Sequence, residues 1–132
     1  MKILNNLSDV SKNPKAVTIG NFDGIHKGHQ ALINETREIS TKSDVESLIF
    51  TFNKLPKEIF SPDTVQRLYD NKIKESILSS YKIDTLLSID FNEIKDYSAD
   101  FFCEEILIKK LNAQYLIIGE NFKFGKDRSG DI

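Results

Sequence analysis

Short aliphatic and β-branched runs alternate along the chain with longer segments whose apolar positions recur at helical spacing. Ala16–Gly20 (AVTIG) reads as the first strand. A turn-rich stretch from Asn21 to Gly24 leads into a helix over His29–Thr41, with Leu32, Ile33, Thr36 and Ile39 toward the sheet. Glu46–Phe52 (ESLIFTF) reads as the second strand, and Pro56 and Pro62 mark the loop after it. The spacing predicts a helix over Thr64–Ser80 with Ile73, Ile77, Leu78 and Tyr81 on its inner side, then a strand at Thr85–Ile89. Ser98 is a suitable N-cap for a helix reaching Leu111, with Phe101, Phe102 and Ile106 mainly on one side. Tyr115–Gly119 (YLIIG) is the fourth strand, followed by polar and glycine residues in which no further core element is expected.

Strands alternating with helices predict an α/β domain, a parallel sheet with helices on both faces. Such sheets bind ligands beyond the carboxyl ends of their strands, where strand order reverses. Both glycine-bearing segments, GNFDGIHKGH at Gly20–His29 and GENFKFGKDRSGD at Gly119–Asp131, come directly after strands. One shared site is therefore expected.

Composition narrows the chemistry without changing this picture. The 132 residues suit one domain. With 18 basic and 20 acidic side chains, net charge is -2 and no basic stripe is present, so nucleic acid is not expected as a partner. The lone Cys103 excludes an internal disulfide and reads as a small core residue. No apolar run approaches the ~18 residues of a membrane span, and the N-terminus lacks a signal-peptide pattern. No membrane partner and a cytoplasmic location are expected.

His26, Lys27, Gly28 and His29 form an H-x-G-H set at the mouth of the first helix. Side chains three apart on a first helical turn project to the same side, so two imidazoles converge on one phosphate. The helix N-terminus adds free N–H donors and the positive end of its dipole. Gly28 lets phosphate oxygens approach the backbone, and Gly20 and Gly24 permit the tight exit from the strand. This pattern suits stabilising a phosphorus centre during in-line displacement, which is mostly positioning and electrostatics. Capping or solvent-exposed histidines are the bland alternative. A metal site is the other, and no third ligand is placed by spacing.

At this point a family is recognisable. GNFDGIHKGHQALI resembles the signature of the HxGH nucleotidyltransferase superfamily, and more narrowly that of the FMN adenylyltransferase (FAD synthetase) module of bacterial bifunctional riboflavin kinase/FAD synthetases. IIGENFKFGKDRSGD, Ile117–Asp131, resembles that family's second motif. Thr51, Phe52 and Pro56 resemble its post-strand loop, and RLYDNKIK at Arg67–Lys74 its next helix. The resemblance implies a Rossmann-like parallel sheet flanked by helices, and the reaction FMN plus ATP giving FAD plus pyrophosphate, with Mg2+ accompanying ATP. His26 and His29 would contact the ATP phosphates. Gly20, Asn21, Phe22, Asp23 and Gly28 would line the nucleotide site. Phe52, Asn121, Phe122, Phe124 and Arg128 would form the FMN side.

Bland readings stand beside these roles. Phe122 and Phe124 alternate as a core-facing pair would, Phe52 could simply end a buried strand, Asp23 suits a turn and Lys123 a solvated loop. The chain also departs from the family. Lys54, Leu55 and Pro56 stand where the family often has a Pro-His-Pro-like stretch. It stops at Ile132, before the family's later phosphate-binding segment and the riboflavin kinase domain that usually follows. Residues 1–132 are thus expected to be a partial adenylyltransferase domain, incomplete at the C-terminus and without the kinase domain. A different acceptor for the adenylyl group, or nucleotide binding without turnover, are the competing functions. Metal ligands and oligomeric state are left open by the sequence.

Overall fold

The structure is a computed structural model. It describes residues 1–20, 22, 27–53, 72–119, 123–124 and 130–131, with side chains 27, 53, 91, 123, 124, 130 and 131 outside the description. Its strands are β1 (Lys2–Leu4), β2 (Lys15–Ile19), β3 (Glu46–Asn53), β4 (Thr85–Asp90) and β5 (Ala113–Ile117). Helix α1 (Lys27–Ser43) follows β2, and α2, described over residues 72–79, follows β3. Helix α3 follows β4, opening as an α-helix at Ala99–Phe101 and continuing as a π-helix over Phe102–Lys110.

The five-stranded sheet has the order β1-β4-β3-β2-β5, and every pairing is parallel. Both faces are covered, as a parallel sheet requires. Alternation along the strands assigns the two sides. Val17, Ile19, Leu48, Phe50, Leu87 and Ile89 pack with α3 through Phe102, Ile106, Leu107 and Leu111. Ile49 and Leu86 turn the other way, onto Ile33 of α1 and Leu78 of α2. The expected α/β sheet with flanking helices is therefore the observed architecture.

Several details differ from the sequence reading. Strand β1 was not anticipated, because three largely exposed residues beside Asn5 and Asn6 carry no clear period; it pairs with β4 at the sheet edge. Strand β5 lies two residues earlier than YLIIG suggested. Its register with β2 begins at Ala113, and as an edge strand it leaves Tyr115 and Leu116 exposed. The segment after β5 also holds a short antiparallel ladder, β6 (Lys123–Phe124) with β7 (Gly130–Asp131).

Of the expected inner positions of α2, Leu78 is buried and Tyr81 packs against the same core cluster, whereas Ile73 and Ile77 face outward and Lys74 takes their place. Lys74 and Leu78, one turn apart, are 8% and 0% exposed, while Ile73 and Ile77 are 42% and 41% exposed. The expected start of this helix, at 64–71, lies outside the described residues. In α3 the buried positions Phe102, Ile106, Leu107 and Leu111 are spaced for a wider turn than 3.6 residues, and the Leu111 N–H bonds the Ile106 carbonyl at 3.0 Å. That winding carries Phe101 out of the core, where its ring meets Tyr97 at a centroid distance of 4.6 Å.

Ser98 is the N-cap of α3, its Oγ accepting from the Phe101 N–H at 3.1 Å. Ser98→Ala should lower stability by about 1 kcal/mol, read as a lower urea midpoint at unchanged slope. No helix among the described residues is long and apolar enough to cross a membrane.

Candidate functional site

Strand order reverses at β2. From β2 the chain moves outward to β3 and β4, and after α3 it returns to pair β5 on the other flank of β2. The crevice between the carboxyl ends of β2 and β5 is thus the position where open α/β sheets bind ligands. Gly20 follows β2 there, and Gly119 follows β5. The Gly20 N–H still bonds the Phe50 carbonyl at 3.1 Å, which ties the end of β2 to β3. A Cβ on Gly119 would lie 3.7 Å from Leu32 Cδ1, so the end of β5 abuts α1. Gly20 and Gly119, the first residues of the two glycine-bearing segments, therefore stand side by side.

Helix α1 opens at this crevice. Its first turn carries Lys27, Gly28 and His29, with Gly28 exposed and His29 half-buried. The amides of a first turn have no intrahelical acceptors, and they sit at the positive end of the helix dipole. Exposed Gly28 leaves that backbone open to an anion's oxygens.

Phe22 is not laid out as a surface residue of the crevice. It is 0% exposed and packs with Ile33, Ile49, Leu78, Ile83 and Leu86. Its ring lies 5.1 Å from the His29 ring, tilted by 57°. Its φ is 54°, in the left-handed region that costs an ordinary residue roughly 1–2 kcal/mol. A Cβ on Gly20 would come within 3.1 Å of the Phe22 ring, so the bare backbone at Gly20 makes room for it.

Phe52, the next-to-last residue of β3, lies on the α3 face, buried and 5.5 Å from the Phe50 ring. On the opposite face, the buried Lys74 ammonium donates to Thr51 Oγ1 and to the Phe52 carbonyl, each at 3.3 Å. Sequence reasoning missed this lysine, because a cation inside an otherwise apolar helical repeat reads as solvated. Lys74→Met keeps most of the stem but removes the ammonium's hydrogen bonds to Thr51 Oγ1 and the Phe52 carbonyl. A loss of about 1–3 kcal/mol in unfolding free energy is expected by urea denaturation.

Of the remaining candidates, Asn21, Asp23, His26, Asn121, Phe122 and Arg128 lie outside the described residues, and the backbone of Phe124 is in β6. Among the described residues no group of three His, Cys, Asp or Glu side chains could hold a metal ion.

A model of the FAD synthetase family matches residues 8–132. The chain belongs to the FAD synthetase family. A bifunctional riboflavin kinase/FMN adenylyltransferase of Buchnera aphidicola subsp. Schizaphis graminum is 39% identical over 98% of this chain and 42% of that protein. The Escherichia coli K12 protein of the same name is 32% identical over 100% of this chain and 44% of its own length. The chain thus spans less than half the length of these relatives. Among solved structures, a macrolide-efflux protein from Streptococcus pneumoniae superposes with a TM-score of 0.68 at 28% identity, covering 96% of this chain and 43% of that one. Family membership agrees with Gly20 and Gly119 standing together at the strand switch.

Proposed function

We propose that this chain acts in FAD biosynthesis, as the adenylyl-transferring part of an FMN adenylyltransferase. A phosphate oxygen of FMN attacks the α-phosphorus of ATP. The new P–O bond forms as the bond to the oxygen bridging the α- and β-phosphorus breaks, and pyrophosphate leaves with that electron pair. No covalent enzyme intermediate is needed, so the protein's work is to align the phosphates and stabilise the added negative charge.

The convergence of the β2 and β5 ends beside the first turn of α1 carries this reading. It supplies a backbone anion site at Gly28 with His29 next to it. His29 and His26 donate hydrogen bonds to ATP phosphate oxygens. Gly20, Asn21, Asp23 and Gly28 border the nucleotide, and Phe22 contributes from beneath through His29. Phe52, Asn121, Phe122, Phe124 and Arg128 form the FMN side. Mg2+ enters with ATP. Magnesium usually keeps several waters and binds through substrate phosphates, and here it would be held in that way.

The test is incubation with FMN, ATP and Mg2+ and separation of the flavins by chromatography, alongside thermal shift with each ligand alone. FAD formation, with stabilisation by MgATP and by FMN, is the expected result. Stabilisation by a different phosphorylated acceptor and not by FMN would move the chain to another reaction of the same chemistry. No response to any nucleotide would end the proposal.

A further inference from the structure

We infer that Phe22 is a positioning residue that fixes the His29 imidazole at the mouth of the crevice; its catalytic consequence rests on the proposed role of His29 at the ATP phosphates. Three observations converge on it. The ring of Phe22 is in contact with the His29 ring, at 5.1 Å between centroids. The residue takes a left-handed backbone, φ 54°, which a bulky side chain rarely adopts. Residue 20 is a glycine whose missing Cβ would sit 3.1 Å from that same ring.

A residue needed only to fill the core could reach it from ordinary extended backbone. The left-handed turn instead sends the ring back beneath the strand end, between the sheet and the first turn of α1. Its other neighbours, Ile33, Ile49, Leu78, Ile83 and Leu86, are fully or almost fully buried and come from α1, β3, α2, the α2–β4 connection and β4. Close-packed interiors transmit strain and leave little free volume. One side of the imidazole is thereby held by a ring that cannot shift without moving the core. A half-buried imidazole packed on one face has fewer rotamers open to it. Holding a donor in place before the substrate arrives is what electrostatic catalysis requires.

The chain has two histidines, which makes the test direct. The imidazole Cε1–H signals are recorded by NMR and assigned with His29→Ala. In Phe22→Leu, which keeps an apolar side chain in the core, the His29 signal should shift while the His26 signal stays. Gly20→Ala is the second variant. It retains both rings and crowds Phe22, so the His29 signal should shift there too. MgATP affinity and, where FAD is formed, kcat and KM are measured on the same variants. Phe22→Leu should lower kcat by roughly tenfold to a hundredfold with KM for FMN unchanged. In a His29→Ala background it should have no further effect on kcat, although its effect on stability persists. An unchanged His29 signal in both folded variants overturns the inference, whether or not the chain makes FAD. Equal loss of kcat in both backgrounds overturns it as well. Absence of FAD in the unmodified chain, with the signal shifts as expected, counts against the proposed reaction alone.

Discussion

His29→Ala should lower kcat for FAD formation by about a hundredfold to a thousandfold, the cost typical of removing one preorganised donor from a developing oxyanion. The size of the effect follows from where the imidazole stands. It is half-buried on the first turn of α1, beside an exposed glycine backbone and at the positive end of the helix dipole. A donor in such a place is shielded from competing water, and its interaction with phosphate charge is stronger than in bulk solvent. Charge on the phosphate oxygens is redistributed as the α-phosphorus passes from one oxygen to the other, so the loss should fall mainly on kcat. KM for FMN should change little, because His29 is assigned to the ATP side. Steady-state rates at saturating MgATP, with urea denaturation as a folding control, check this. A variant that keeps its kcat and loses only ATP affinity would make His29 a binding group. A fully active variant would remove it from the site.

Much of the architecture could be read from the sequence, and the exceptions share a cause. The β2–α1 unit was legible because a continuous buried strand and an amphipathic helix carry different periods, and the turn residues between them are glycine and aspartate. The meeting of Gly20 and Gly119 could be anticipated as well, since both follow strands of a parallel sheet and strand order must reverse somewhere. Three kinds of feature were not legible. Strand β1 is short and exposed, so it owes its order to pairing with β4 and not to its own pattern. The π-winding of α3 and the inward turn of Lys74 on α2 overrode helical wheels drawn at 3.6 residues per turn. Phe22, within a polar glycine-rich stretch, looked like a residue lining a pocket. Its ring instead lies in the core, because a left-handed φ reverses where an extended strand would have sent it.

Lys15→Met should cost about 2–4 kcal/mol of stability, the largest effect expected away from the crevice. Lys15 opens β2 and is buried, and its ammonium donates to three backbone carbonyls: Ser11 at 2.5 Å, Asn13 at 2.8 Å and Leu111 at 3.0 Å. These use all the donors that a lysine has. The acceptors come from the β1–β2 connection and the end of α3, so one side chain ties two separate segments to the foot of the sheet. Glu46 holds the same connection from its side chains, accepting from Ser11 Oγ at 3.0 Å and Asn13 Nδ2 at 2.7 Å. Two terms oppose each other. Burial disfavours the charge and pushes the Lys15 pKa down from its ordinary 10.5, with Glu46 pulling it partly back. Removing the ammonium relieves that desolvation, and methionine fills most of the volume. It also leaves three carbonyls without their charge-assisted donor, at about 1–3 kcal/mol for each that water does not reach, and this second term wins. The urea midpoint should fall with the slope preserved. Lys15 stands at the opposite end of β2 from Gly20, so MgATP affinity at temperatures where the variant is folded should be unchanged. A variant with an unaltered midpoint would show that water replaces the ammonium without loss, and a variant that lost MgATP binding while folded would show that the two ends of β2 are coupled.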